Sequence, residues 1–158
     1  MATQQQLDKV YMQNAVNMST LSYAVRKKVG CILVTPENLQ IGSYNGQPSG
    51  WDNICEQPEY ALYTELGKEP EIIPTGETKT LNTVIHAELN TILHAARQGV
   101  SIKGSTIYIS LSPCIACSAM IAQAGIKRVV YQEEYRDTSG IDLLRKHGII
   151  IEKLIDNN

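Results

Sequence analysis

An α/β fold, in which one mixed sheet of about five strands lies between helical layers (α/β/α), is predicted by three features of the sequence. Two apolar runs flank a turn and read as an antiparallel hairpin. A later strand–helix–strand unit reads as a parallel crossover, and a helix and strand at the end of the chain repeat that step.

In chain order, Leu7, Val10, Tyr11, Ala15 and Met18 recur at helical intervals and predict a first amphipathic helix over about 7–22. CILVT (31–35) and LQIGSY (39–44) are strands on either side of Pro36-Glu37-Asn38. From about 45 to 83 the chain is rich in Gly, Pro, Asn, Asp and Glu without a sustained period. It reads as one long loop, of a length that usually marks either a functional segment or unrecognised structure. HAELNTILHAARQG reads as a helix closed by Gly99, and STIYIS (105–110) as a strand. Ser112-Pro113 then opens a helix, with serine as N-cap and proline in the first turn, ending before Gly125. RVVYQ (128–132) follows as a strand, and SGIDLLRKHG with IIIEKLI adds the last helix and strand.

The 158 residues, 43% of them apolar, suit one domain over 1–158. A net charge of −2 and a pI near 5.9 argue against the broad basic surface that a stable nucleic-acid partner requires. No apolar run approaches the roughly 18 residues of a membrane span, and MATQQQLDK lacks the apolar segment of a signal peptide. A cytoplasmic location is therefore expected. In that reducing setting Cys31, Cys55, Cys114 and Cys117 are core residues or metal ligands rather than disulfides.

Two motifs carry chemistry: His86-Ala87-Glu88 and Pro113-Cys114-Ile115-Ala116-Cys117. The cysteines are three apart at a helix start. Both thiols can therefore reach one ion, and the helix dipole favours thiolate. A His/Cys/Cys set leaves a fourth tetrahedral position for water, as in catalytic zinc sites, and soft sulfur donors select zinc over magnesium or calcium, with iron still open. Glu88 lies about 200° around an ideal helix from His86, so the two converge only at a first turn. There the carboxylate stands beside the metal as a proton carrier rather than a ligand. CxxC alone is a redox pair or buried cysteines more often than a catalytic zinc site. It is the combination with HAE, each motif opening a helix, that specifies a zinc deaminase pattern.

On HAE (86–88) and PCIAC (113–117) the chain resembles the cytidine/deoxycytidylate deaminases, and more closely their deoxycytidylate branch. The likeness extends through VRKKVG (25–30), SYNGQPSG (43–50), GIKRVVY and the tyrosine of EEYRD. It implies a cytidine deaminase-like fold and hydrolysis of dCMP to dUMP and ammonia. One Zn2+ per chain would sit on His86, Cys114 and Cys117, with Glu88 moving protons to N3 and to the departing amine. Asn45 would contact the deoxyribose, and Arg26 the phosphate, which its planar fork can grip with paired bonds. Tyr135 would stand near the substrate. Lys27 and Lys28 fit a solvated helix end as well as a phosphate contact. Gly46, which can adopt positive φ, fits either a ligand approach or an ordinary tight turn.

The resemblance further implies a homo-hexamer activated by dCTP and inhibited by dTTP, each with Mg2+, and supplying dUMP for dTTP synthesis. Gly46, His94 and Arg97 are the residues expected to serve that regulation. His94 and Arg97 fit an amphipathic surface equally, and the 45–83 loop fits a lid over the active site. Cys31 is expected in the core; Cys55 has no assigned role. Two other functions share these residues: a deaminase of cytidine, tRNA adenosine, a riboflavin precursor or single-stranded DNA, and a non-catalytic, zinc-stabilised nucleotide sensor. SYNG and VRKK favour a phosphorylated mononucleotide, and Glu88 favours an enzyme.

Overall fold

The computed structural model describes residues 1–155; positions 156–158 of the expected domain lie outside the described residues. The chain runs α1 (Gln4–Ser19), β1 (Gly30–Val34), β2 (Gln40–Tyr44), β3 (Glu56–Tyr63), β4 (Glu71–Thr80) and α2 (Ala87–Arg97). It continues with β5 (Thr106–Leu111), α3 (Ile115–Gln123), β6 (Arg128–Glu133), α4 (Ser139–Lys146) and β7 (Ile150–Lys153). Five strands form one mixed sheet in the order β2-β1-β5-β6-β7. β1 is antiparallel to both β2 and β5, whereas β5, β6 and β7 are parallel. This is the expected sheet, with its starting hairpin.

Period-two alternation divides the core between the two faces of the sheet. Ile32, Val34, Tyr108 and Val130 meet Tyr11, Met12 and Ala15 of α1 on one side. Cys31, Leu33, Ile107, Ile109 and Val129 meet Ala87 of α2, Ile121 of α3 and Leu144 of α4 on the other. Helix α1 approaches β1 so closely that a Cβ on Gly30 would fall 1.9 Å from the Ala15 carbonyl oxygen. A polar network also holds α1 to the sheet. Asp8 accepts both terminal nitrogens of Arg128 at 2.8 and 2.7 Å and the Tyr108 hydroxyl at 2.7 Å, while Arg128 also donates to Glu152 at 2.7 Å. Burial pushes the Asp8 carboxyl up, but its hydrogen bonds with Arg128, Gln4 and Tyr108 outweigh this and hold it below the usual carboxylate range.

Two elements depart from expectation. Helix α1 begins three residues early, because Thr3 and Gln6 form a reciprocal capping box. The segment read as a loop contains the antiparallel pair β3–β4, a separate two-stranded sheet whose β4 is exposed at every position. No helix among the described residues is long and apolar enough to cross a membrane.

Candidate active site

Sheet topology sends α2 and α3 across the same face of the sheet, and their N-termini meet there. His86 is the N-cap of α2, in extended conformation, immediately after Ile85, whose backbone exchanges two hydrogen bonds with Gly46. Cys114 is the N-cap of α3, and its sulfur accepts the Cys117 N–H at 3.5 Å. The helix thus starts two residues later than Ser112 would have placed it. Ser112 caps nothing; its hydroxyl accepts the Tyr135 N–H at 2.8 Å and fixes the loop after β6. Helix α4 can abut the Cys114 turn because residue 140 is glycine, where a Cβ would stand 2.3 Å from the Pro113 carbonyl oxygen.

The imidazole Nδ1 of His86 lies 3.7 Å from Cys114 Sγ and 3.4 Å from Cys117 Sγ, and the three donor atoms all fall within 4.8 Å of one another. Tetrahedral zinc with N and S bonds of about 2.05 and 2.3 Å needs its N and S donors about 3.6 Å apart. The donor set and its spacing fit that ion. Hydrogen bonds from Cys117 and His86 bring the Cys114 thiol down to about 3, whereas Cys117, giving its proton toward Cys114 in a buried position, is pushed up. The hydrogen bond to Cys114 raises His86, against a smaller opposing desolvation.

Glu88, the second residue of α2, is 4% exposed. Burial raises its carboxyl above the ordinary value, opposed by its own backbone N–H and by His86. A carboxylate so placed can hold a proton and release it.

His86, Glu88 and Cys114 form the floor of a cleft of about 490 Å³ lined by Arg26, Lys27, Asn45, Glu56, Ser112, Tyr135 and Arg136 among others, with Cys117 buried beneath it. It opens where β5 and β6 end, the carboxyl edge at which α/β sheets place ligands. Arg26, Asn45 and Tyr135 all line it. Among the described residues Arg26 has no ion-pair partner, whereas Lys27 is paired with Glu133 across the rim. The Asn45 amide is engaged with the backbone: its oxygen accepts the Val29 N–H at 2.8 Å and its nitrogen donates to the Lys27 carbonyl at 3.0 Å.

Gly46 does not use the positive φ open to a glycine. Its backbone pairs with Ile85 in an extended bridge, which needs no left-handed residue. His94 and Arg97 occupy the last turn of α2, away from the cleft, half-buried and exposed respectively. The sequence reading missed Glu56, Ser112 and Arg136. Ser112, next to the Pro113-Cys114 signature, was open to notice; Glu56 lay inside the segment taken for a loop.

The profile of the family described as the cytidine and deoxycytidylate deaminase zinc-binding region matches residues 5–133. The deoxycytidylate deaminase of Enterobacteria phage T4 is 36% identical over 165 residues, covering 87% of this chain and 84% of that protein. The human deoxycytidylate deaminase is 33% identical over 141 residues, 81% of this chain and 68% of its own length. The crystal structure of the dCMP deaminase of cyanophage S-TIM5 in complex with dCMP and dUMP superposes with a TM-score of 0.78 at 36% identity, covering 96% and 99% of the two chains.

Proposed function

The chain belongs to the cytidine and deoxycytidylate deaminase family, and we propose that it hydrolyses dCMP to dUMP and ammonia. The observation that carries this reading is the buried Glu88 beside the His86, Cys114 and Cys117 donors, on the floor of a cleft whose rim presents the unpaired Arg26. The T4 and human relatives bear the name of that activity, and the cyanophage enzyme was crystallised with its substrate and product.

In this reading His86, Cys114 and Cys117 hold one zinc ion. Bound there, zinc supplies Lewis-acid activation of water. Glu88 takes a proton from the attacking water and passes it to N3 of the ring as the oxygen adds to C4. It then takes the remaining proton from the oxygen on C4 and delivers it to the amino group, which leaves as ammonia as the C4–N bond breaks and the C4 carbonyl forms. Arg26 binds the 5′-phosphate, Tyr135 closes the cleft, and Asn45 shapes the wall beside the sugar.

The reading extends to regulation. dCTP activates and dTTP inhibits, each with Mg2+, in a cytoplasmic homo-hexamer whose product feeds dTTP synthesis, with Gly46, His94 and Arg97 in the effector region. Family likeness supports this, and so does the exposure of Tyr60, Leu62, Tyr63 and Ile72 on β3–β4, since a two-stranded sheet alone is marginally stable and gains from packing on another copy. dCMP saturation should be sigmoidal alone, nearly hyperbolic with dCTP and suppressed by dTTP. Hyperbolic kinetics indifferent to both in the oligomeric, zinc-loaded enzyme would remove the regulation. The primary reaction is tested by ammonia release from dCMP, CMP, deoxycytidine and short single-stranded DNA. dCMP is expected to be fastest, and equal rates for dCMP and deoxycytidine would reassign the protein as a nucleoside deaminase.

A further inference from the structure

Residues 25–29, which carry Arg26 and Lys27 to the rim of the cleft, have no helix or strand of their own. Two side chains from elsewhere bind their backbone. Asn45 bonds the Lys27 carbonyl and the Val29 N–H, and Glu56 takes the other end. One oxygen of Glu56, Oε1, accepts the Val25 N–H at 3.0 Å and the Arg26 N–H at 3.2 Å. Glu56 is the first residue of β3 and is held at its root. The preceding Cys55 is buried with Ala24 and Val84, and its carbonyl accepts the Leu81 N–H at 2.9 Å. Val84 lies two residues before His86, so this root, the rim loop and the approach to the first metal-donor residue pack as one wall.

We propose that Glu56 is a positioning residue for the anion end of the cleft: its carboxylate fixes the backbone at 25 and 26, so that the Arg26 guanidinium is presented toward a substrate phosphate. The proposal rests on the dCMP reading for the identity of that anion. A charged acceptor is suited to the task, because a carboxylate binds two backbone N–H groups more strongly than a neutral oxygen does. The same charge repels a phosphate in direct contact, so Glu56 acts through the loop and not on the substrate. This fixes the sign of the outcome. Were Glu56 instead occupying the phosphate's own place, its removal would tighten binding.

The test compares Glu56→Ala, Glu56→Gln and Glu56→Asp in the full-length, zinc-loaded protein, by steady-state kinetics with dCMP and deoxycytidine and by hydrogen exchange over residues 23–28. Glu56→Ala is expected to raise KM for dCMP about tenfold or more, with the loss falling on KM rather than kcat. The preference for dCMP over deoxycytidine should shrink in proportion, and exchange at Val25 and Arg26 should accelerate. Glu56→Gln, which keeps an acceptor oxygen, should stay within about threefold of the parent. Glu56→Asp keeps the charge but falls a methylene short. It should behave as the alanine variant does, and reads the same geometry if that variant does not fold.

An unchanged or lowered KM for dCMP in Glu56→Ala, or an equal loss with both substrates, would overturn the proposal. If the parent enzyme itself fails to favour dCMP, the functional reading falls separately. The exchange measurement then decides, and unaltered exchange at Val25 and Arg26 without the carboxylate refutes the positioning.

Discussion

Glu88→Gln isolates the proposed proton carrier from everything else in the site. The amide keeps the shape of the buried side chain and removes its ability to accept and return a proton. Among the described residues no other carboxylate is placed to substitute: Glu133 and Glu134 are exposed at the rim, and Glu56 is engaged with the 25–26 backbone. With no replacement in reach, the full contribution of a general acid–base should be lost, about 10²- to 10⁴-fold in kcat/KM. That is about 2.7–5.4 kcal/mol of transition-state stabilisation. The assay is continuous ammonia release from dCMP, with zinc content and thermal unfolding measured on the same preparations. Zinc should remain near one ion per chain, and Tm within about 3 °C of the parent, since an isosteric neutral group leaves the packing intact. Activity within about tenfold of the parent, a deficit of only ~1.4 kcal/mol, would refute the assignment of Glu88 as the proton carrier.

Cys114→Ala should lose the metal itself. Elemental analysis is expected to show zinc near zero, and a fully loaded variant would remove Cys114 from the donor set. Arg26→Ala should cut the preference for dCMP over deoxycytidine about 10- to 100-fold, the worth of a charge-assisted contact, and an undiminished preference would place the phosphate elsewhere. Asp8→Asn should cost about 2–3 kcal/mol at pH 7, because Arg128 loses its main buried partner but keeps Glu152, and so lower Tm by roughly 4–12 °C. Since Asp8 is held below its unfolded value of about 3.9, its stabilisation is complete above that pH and is lost as pH falls through the depressed folded value. The gap between parent and variant in thermal melts should therefore narrow below about pH 4, and a gap independent of pH would contradict the ionic account.

The elements that were legible in the sequence are those whose burial imposes a period. Ile107, Tyr108 and Ile109 alternate because each face of β5 meets a different helical layer, and Val129 and Val130 repeat the division one strand over. β4 has no buried face to impose an alternation, and Pro58 and Pro74 stand within the β3–β4 pair, where proline ordinarily argues against a strand. A hairpin of this kind is invisible to pattern. The displaced start of α3 has a chemical cause. Ser112 has the hydroxyl of an ordinary N-cap, but the chain spends it on Tyr135 and leaves the cap to a sulfur.

The same distinction separates the two ends of the cleft. The metal-donor end is assembled from local pairs, His86 with Glu88 and Cys114 with Cys117, each within one helical turn. The fold then brings the pairs together by sending α2 and α3 across one face of the sheet. Short-range spacing records chemistry of that kind. The rim is assembled differently. Its loop takes its shape from Asn45 and Glu56, which bond it across 16 to 31 residues of sequence and carry no spacing signature of their own. In the proposed reading, substitutions at these two positions would act first on how the substrate phosphate is held, while the donor triad and Glu88 are set chiefly by the helix starts. In that reading, chemistry and phosphate recognition thus draw on different kinds of contact, local helix starts and long-range side-chain clamps. A change of substrate on this scaffold is expected first at the side chains that clamp residues 25–29, before any change among the groups that touch the reacting carbon.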